Sequence, residues 1–294
     1  MALKYSLMRG ITPKVINMKI AFIGLGIMGL PMATNVAKNY ELIGFDIVKK
    51  ETSFPFASSY KECADFADVI ISMVPKNEHF ISLVKEMKPL LRKGQIWIDM
   101  STIAPQVSVE MKKELEDVGV KLCDTPVVKS QPAAVKGELG IYFGGSEELY
   151  LKVKPILLCM GKNVIRMGEN GKGLEMKIIH NALVGQIQNG VNEILGLADK
   201  IGLDLHDVVT ALGYGGAQCF YLDTKSNNII NHNYPTAFSV ENMNKDVHFA
   251  VEIANNYDSA VPSLHNVVKV YEEAMEMGLA KSDFSATYEV VNKK

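Results

Sequence analysis

KIAFIGLGIMGLPMATNVAKNYELIGFD, residues 19–46, decides the fold. Lys19 to Ile23 is a short apolar run of strand type that delivers the chain into Gly24-Leu-Gly26-Ile27-Met28-Gly29. A helical pattern follows at once through Met32, Ala33, Val36 and Ala37, and a second strand, Leu42 to Phe45, ends in Asp46. Three glycines at this spacing say little alone. Between a strand and a helix, with an acid about twenty residues on, they read as a dinucleotide-binding turn. Gly24 makes the tight turn, Gly26 lets backbone approach a pyrophosphate, and Gly29 lets helix and strand pack closely. The diphosphate is expected on the helix N-terminus, with Ile27 and Met28 among the cofactor-binding residues, because unpaired N–H groups and the helix dipole favour negative charge there. Asp46 would accept hydrogen bonds from the adenosine ribose and repel a 2′-phosphate, favouring NAD, while Lys49 and Lys50 leave NADP open.

The alternation continues outward from this turn. Val69 to Val74 reads as a strand ending at Pro75, Asn77 to Leu91 as an amphipathic helix, Gln95 to Asp99 as a strand running into Ser101-Thr102, and Pro105 to Val118 as a helix. Short strands follow at Lys121 to Cys123, Gly140 to Phe143 and Asn163 to Arg166, with a helix between the last two. Such βα units predict a mostly parallel, doubly wound sheet, with ligands beyond the carboxyl ends of the strands, where Gly24, Asp46, Pro75 and Ser101-Thr102 fall. After Arg166 only helices are expected: Asn170 to Lys200, Asp204 to Leu212, Glu241 to Asn255, Pro262 to Met277 and a short one near Ser285. The expected division is therefore an extension at 1–17, an α/β Rossmann-type domain at 18–167 and an all-α domain at 168–294.

The first of those helices joins the two domains. Its apolar residues recur at helical spacing (Leu174, Ile178, Leu183, Ile187, Val191, Ile194, Leu195), which predicts a long and largely buried helix. Lys177, Asn181, Gln188 and Asn192 form a polar stripe within a quarter turn of one another. Buried polar groups need partners, and two are open here: a helix partner or bound water, or a substrate pocket at the cofactor crevice.

Composition narrows the function classes. A chain of 294 residues, 48% of them hydrophobic, suits two moderate cores, and a formal net charge of -2 without Lys/Arg clusters argues against nucleic-acid or membrane partners. Cys63, Cys123, Cys159 and Cys219 lie far apart, and the histidines show no metal-ligand spacing, which suggests a reducing, cytoplasmic, metal-free setting. Residues 1–17 carry Lys4, Arg9 and Lys14 with no acid. Pro13 and the scarcity of serine favour an extension, or an early start, over an organellar targeting segment.

Together several motifs resemble one family, the β-hydroxyacid dehydrogenases, which includes 3-hydroxyisobutyrate, tartronate semialdehyde and 6-phosphogluconate dehydrogenases. They are GLGIMGLPMATNVAK at 24–38, MVP at 73–75, DMSTIAP at 99–105, DTPV at 124–127 with AAVKGEL downstream, GKGLEMKIIHN at 171–181, NKD at 244–246 and GLAKSDFSA at 278–286. The resemblance implies a Rossmann-type domain followed by a helical domain that dimerises, with a homodimer or homotetramer expected. It makes Lys177 the residue that exchanges the hydroxyl proton during hydride transfer, and Asn181 the residue that orients substrate and lysine. Val74, Pro75, Thr102 and Lys245 match cofactor-contacting positions, and Ser101 is expected to line the same crevice. A helix cap is the plainer role for Ser101 and Thr102, and a surface lysine for Lys245.

One departure bears on the substrate. Where the family usually has Ser-Gly-Gly to hold a carboxylate, this chain has Val128, Lys129 and Ser130. Lys129 could replace the lost donors and select a more acidic or phosphorylated substrate, or be an ordinary loop lysine. Three readings follow: a dehydrogenase of a small 3-hydroxy acid or the matching semialdehyde, a cofactor-binding protein with a decayed substrate loop, or a decarboxylating sugar-acid enzyme. The third is opposed by Val184, which stands where such enzymes carry a glutamate as second acid. His180 is read as a packing histidine rather than a proton donor.

Overall fold

The structure, a computed structural model, describes residues 18–293, so the expected extension at 1–17 lies outside the described residues. The first half alternates β1 (Ile20–Ile23), α1 (Gly29–Val36), β2 (Leu42–Phe45), α2 (Tyr60–Phe66), β3 (Val69–Ser72), α3 (Asn77–Met87), β4 (Ile96–Asp99), α4 (Pro105–Glu116) and β5 (Lys121–Asp124). It continues through β6 (Val127–Val128), α5 (Gln131–Lys136), β7 (Leu139–Gly144), α6 (Glu147–Leu157) and β8 (Gly161–Gly168). The rest is helical: α7 (Lys172–Lys200), α8 (Leu205–Leu212), α9 (Phe220–Ile230), α10 (Val240–Asn256), α11 (Pro262–Glu276) and α12 (Tyr288–Val291). Four elements lie outside the sequence expectation: α2, β6, α5 and α9.

The strands are short apolar runs, and both faces of the sheet are covered. Ile20, Phe22, Ile96 and Ile98 point into one core with Met32 and Val36 of α1, while Ala21, Ile23 and Trp97 point into the other with Phe80 and Val84 of α3. A strand buried on both faces is the mark of a parallel sheet sandwiched by helices. The order β2-β1-β3-β4-β5 is parallel throughout, and an edge follows in which β7 runs antiparallel to β5 and β6 and parallel to β8. The chain reverses its winding at β1 and β3, so the crevice opens past Gly24 and Met73.

A third core belongs to the helices, built from Ile178 and Val184 of α7, Met243 and Val247 of α10, and Val267 and Tyr271 of α11. Leu174, one turn before Ile178, packs instead into the sheet core with Trp97 and Leu122. Helix α7 thus has its first turn in one core and its body in another, and Lys177 lies between the two anchors.

The long helix corrects one expectation. Leu174, Ile178 and Leu195 are buried, but Leu183 is 58% exposed and Ile194 49%, and Ile179 and Leu197 face outward with them. The polar stripe is the buried side: Lys177, Asn181, Gln188 and Asn192 are all covered. Spacing identified an apolar face without fixing what covers it, and within this chain the other helices pack against the polar one.

Candidate active site

The glycine turn is shaped as the spacing required. Gly24 has φ +93, and a Cβ there would sit 2.2 Å from the Met73 carbonyl oxygen. A Cβ on Gly29 would lie 1.9 Å from the Gly24 carbonyl oxygen, whereas one on Gly26 would meet nothing within 4 Å. Gly24 and Gly29 are demanded by the protein's own packing, and Gly26 keeps space open beside the helix start. No side chain caps the N-terminus of α1, and its first turn holds no acid, so its N–H groups suit an anion. Ile27 is exposed and Met28 half-buried beside that opening. Asp46 accepts from Leu25 N at 2.7 Å and Val48 N at 2.9 Å, tying the turn to the end of β2 while staying partly exposed. These residues fit a dinucleotide. Gly24→Ala is expected to destabilise by about 1–3 kcal/mol in urea unfolding. Gly26→Ala is expected to leave stability within about 0.5 kcal/mol yet weaken NADH binding in a fluorescence titration.

Across the crevice a polar relay runs from the helical half to the sheet. Lys177 Nζ donates to Asn181 Oδ1 at 3.0 Å, and Asn181 Nδ2 donates to Asp246 Oδ2 at 2.5 Å. Asp246 Oδ1 accepts from Lys245 Nζ at 2.8 Å, and the same ammonium donates to the Thr102 carbonyl at 2.7 Å. Burial pulls the Lys177 ammonium down from its ordinary value to about 8, with Asp246 opposing and Lys245 assisting. A lysine poised there exchanges protons near neutrality, which an exposed lysine does not. Sequence reasoning contained the NKD motif but did not single out Asp246. Its signal was the buried i+3, i+4, i+7 face of α10 (Met243, Asp246, Val247, Ala250), on which an acid needs a partner.

The stripe on α7 divides between the two roles left open for it. Its first half is this relay, and its second is packing: Gln188 Nε2 donates to Asn192 Oδ1 at 2.7 Å, and Asn192 Nδ2 to Thr287 Oγ1 at 2.9 Å.

Ser101 is a correction. It is fully buried, its hydroxyl donating to Asp99 Oδ1 at 2.7 Å and accepting from Val74 N at 2.9 Å. It braces the loop after β3 against the end of β4 and so shapes the Val74-Pro75 rim, but its hydroxyl does not line the crevice. Asp99, also bonded to Ser72, is pushed up to about 6 by burial.

Val128 pairs with Gly140 across β6 and β7, and a Cβ on Gly140 would lie 2.6 Å from Val128 Cγ2. Lys129 holds φ +79, a left-handed conformation natural to glycine, at a cost of about 1–2 kcal/mol. Ser130 occupies the N-cap of α5 without a side-chain cap bond. Among the described residues no hydrogen bond joins this loop to the relay. The neighbouring Tyr142 hydroxyl lies 3.3 Å from His180 Nδ1, and burial and Lys177 push that imidazole down to about 4, leaving it neutral. Val184 is buried in the helical core, so no acid stands at that position.

A glycine turn shaped for a dinucleotide at the end of β1, and a buried lysine whose relay reaches the end of β4 in the same sheet, define a dinucleotide-dependent dehydrogenase. Residues 19–168 match the family described as the NAD binding domain of 6-phosphogluconate dehydrogenase, and residues 171–291 that described as NAD-binding of NADP-dependent 3-hydroxyisobutyrate dehydrogenase. The chain is 32% identical to mitochondrial 3-hydroxyisobutyrate dehydrogenase of Mus musculus, over 94% of this chain and 87% of that protein. It is 28% identical to chloroplastic glyoxylate/succinic semialdehyde reductase 2 of Arabidopsis thaliana, over 98% of this chain and 84% of that protein. The solved Mycobacterium tuberculosis 3-hydroxyisobutyrate dehydrogenase with L-serine superposes with a TM-score of 0.84 at 26% identity, over 93% of this chain and 99% of that one. The chain belongs to the β-hydroxyacid dehydrogenase family. It is an NAD(P)-dependent oxidoreductase of hydroxy acids.

Proposed function

We propose that the protein interconverts a small 3-hydroxy acid and the matching semialdehyde, with Lys177 as general acid/base and Asn181 as its orienting partner. The observation that carries this reading is the buried Lys177 ammonium, held by Asn181 within the relay to Asp246 and brought down to about 8. When bound, NAD(P) supplies the hydride acceptor or donor. In oxidation, neutral Lys177 takes the hydroxyl proton as the carbonyl forms; in reduction, protonated Lys177 returns it to the carbonyl oxygen. Oxidation should therefore rise with pH through about 8, and reduction should fall above it. Gly24, Gly26, Ile27, Met28, Gly29, Val74, Pro75 and Thr102 would hold the cofactor, with Asp46 favouring NAD over NADP. Lys245 would close over it from the helical half. The semialdehyde reductase and the L-serine complex among the relatives support this substrate class.

The change from β8 to α7 supports a division of the chain near residue 167. Val128, Lys129 and Ser130 would lie against the substrate, with Lys129 selecting an acidic or phosphorylated one. A panel of 3-hydroxy acids, dicarboxylic analogues, phosphorylated analogues and semialdehydes, followed by nicotinamide absorbance, tests both parts. Absence of turnover on every member despite tight NADH binding would favour a binding protein without catalysis. An unchanged substrate order in Lys129→Ala would remove the selectivity role.

A homodimer or homotetramer is part of the same reading. Ile179, Leu183, Ile194 and Leu197 make an exposed apolar face along α7, and α8, although rich in Val and Leu, has no buried residue. Bare apolar faces of this kind suit a second copy. Leu183→Asp with Leu197→Asp is expected to yield monomers in light scattering, and an associated double variant would contradict this interface. A cytoplasmic location is proposed on the four free cysteines; recovery from an organelle fraction would contradict it.

A further inference from the structure

Helix α7 starts without a cap of its own. Gly171 stands at its N-cap with φ 95 and offers no side chain, whereas Ser59, Ser146, Asp204 and Ser239 each cap the helix that follows them. The missing acceptor comes from the end of β5. Asp124 Oδ1 accepts from Gly171 N at 2.7 Å and from Asn170 Nδ2 at 3.0 Å, and its Oδ2 accepts from Leu174 N at 2.8 Å.

Space has been cleared for this carboxylate on both sides. A Cβ on Gly144 would lie 2.3 Å from Asp124 Oδ1, and one on Gly173 would lie 2.7 Å from Oδ2. Asp124 is completely buried, and among the described residues it has no ion pair. The N–H groups and dipole at the start of α7 supply its compensation. Burial pushes the carboxyl up to about 7, with the Gly171 and Leu174 amides pulling the other way.

A buried acid is a costly way to finish a helix when a local serine would serve. A carboxylate reaching from the sheet does something a local cap cannot: it fixes the helix against another element. Leu174 is bonded to Asp124, and Lys177 follows one helical turn later, about 4.5 Å along the axis. We propose that Asp124 is a positioning residue that sets the depth and rotation of α7 against the sheet, and thereby where Lys177 stands over the crevice. This rests on reading Lys177 as the acid/base, because positioning matters only if that ammonium meets the substrate. An error of about 1 Å in such placement costs on the order of 100-fold in rate.

Asp124→Asn keeps the size and turns an NH2 group toward one of the donors. Two measurements then read the pin. Hydrogen exchange, which needs no turnover, should show amides at the start of α7 exchanging about tenfold faster, equivalent to about 1.4 kcal/mol of lost protection. In steady state, kcat should fall about 100-fold, while NADH affinity and the pH midpoint near 8 hold, because burial, Asp246 and Lys245 set that lysine's pKa and Asp124 is not among its causes. Asn170→Ala spares the carboxylate and both backbone bonds, so it should fold if Asp124→Asn does not, with smaller changes of the same sign. Wild-type exchange and wild-type kcat in Asp124→Asn, or in Asn170→Ala where the first variant does not fold, would overturn the pin. A Lys177→Ala variant that turned over normally would instead overturn the underlying acid/base reading.

Discussion

Lys177→Ala is expected to lower turnover by about 10²- to 10⁴-fold in both directions, the range a positioned proton donor or acceptor contributes. NADH affinity should hardly change, because the glycine turn and Asp46 lie on the sheet and not on α7. Stability should change little, since relief of a buried, desolvated cation offsets the loss of its bond to Asn181. Loss of kcat with retained NADH binding and an unchanged unfolding midpoint would place Lys177 in the chemistry. Proportional loss of binding would place it in the architecture. Lys177→Arg is expected to fail as well, because a guanidinium does not give up its proton near neutrality.

Asp246→Asn is the second large effect. The acid is 1% exposed, takes the Asn181 amide on one oxygen and the Lys245 ammonium on the other, and is the group that holds the Lys177 pKa up against burial. The amide can satisfy only one of the two donors, and a buried donor without an acceptor costs about 1–3 kcal/mol. Expressed as misalignment of Asn181 and Lys177, that is roughly 5- to 150-fold in kcat. Removing the negative charge also destabilises the Lys177 ammonium, so the rise of oxidation with pH should move below about 8. The direction of that shift separates an electrostatic role from a packing role: a purely structural change would lower kcat with the midpoint in place.

Much of this architecture was legible because its causes are local. Gly29 is required by the Gly24 carbonyl five residues back, and the succession of strand, turn, helix and acid within residues 19–46 marks a nucleotide site before the contact of Gly24 with Met73 is known. What could not be read depends on which groups the fold turns toward a given side chain. Ser101 looks like any crevice hydroxyl until Asp99 and Val74 take up its bonds. Helix α9 escaped notice because its inward positions are Leu222, Lys225, Ser226 and Ile229, with the lysine paired to buried Asp283. A charge at a core position erases the apolar period that announces a helix. The outward apolar face of α7 is the converse case, since periodicity reports that a face is apolar and not whether the same chain covers it.

The most direct test of the proposed chemistry is the pH dependence of kcat/KM for one substrate pair, measured in both directions. A single lysine trading its proton with the substrate oxygen requires opposite limbs, oxidation rising and reduction falling in the region of 8, with the oxidation midpoint the lower because oxidised nicotinamide is cationic, and the loss of both in Lys177→Ala. Limbs that persist in Lys177→Ala, or that run in the same sense in both directions, would contradict it.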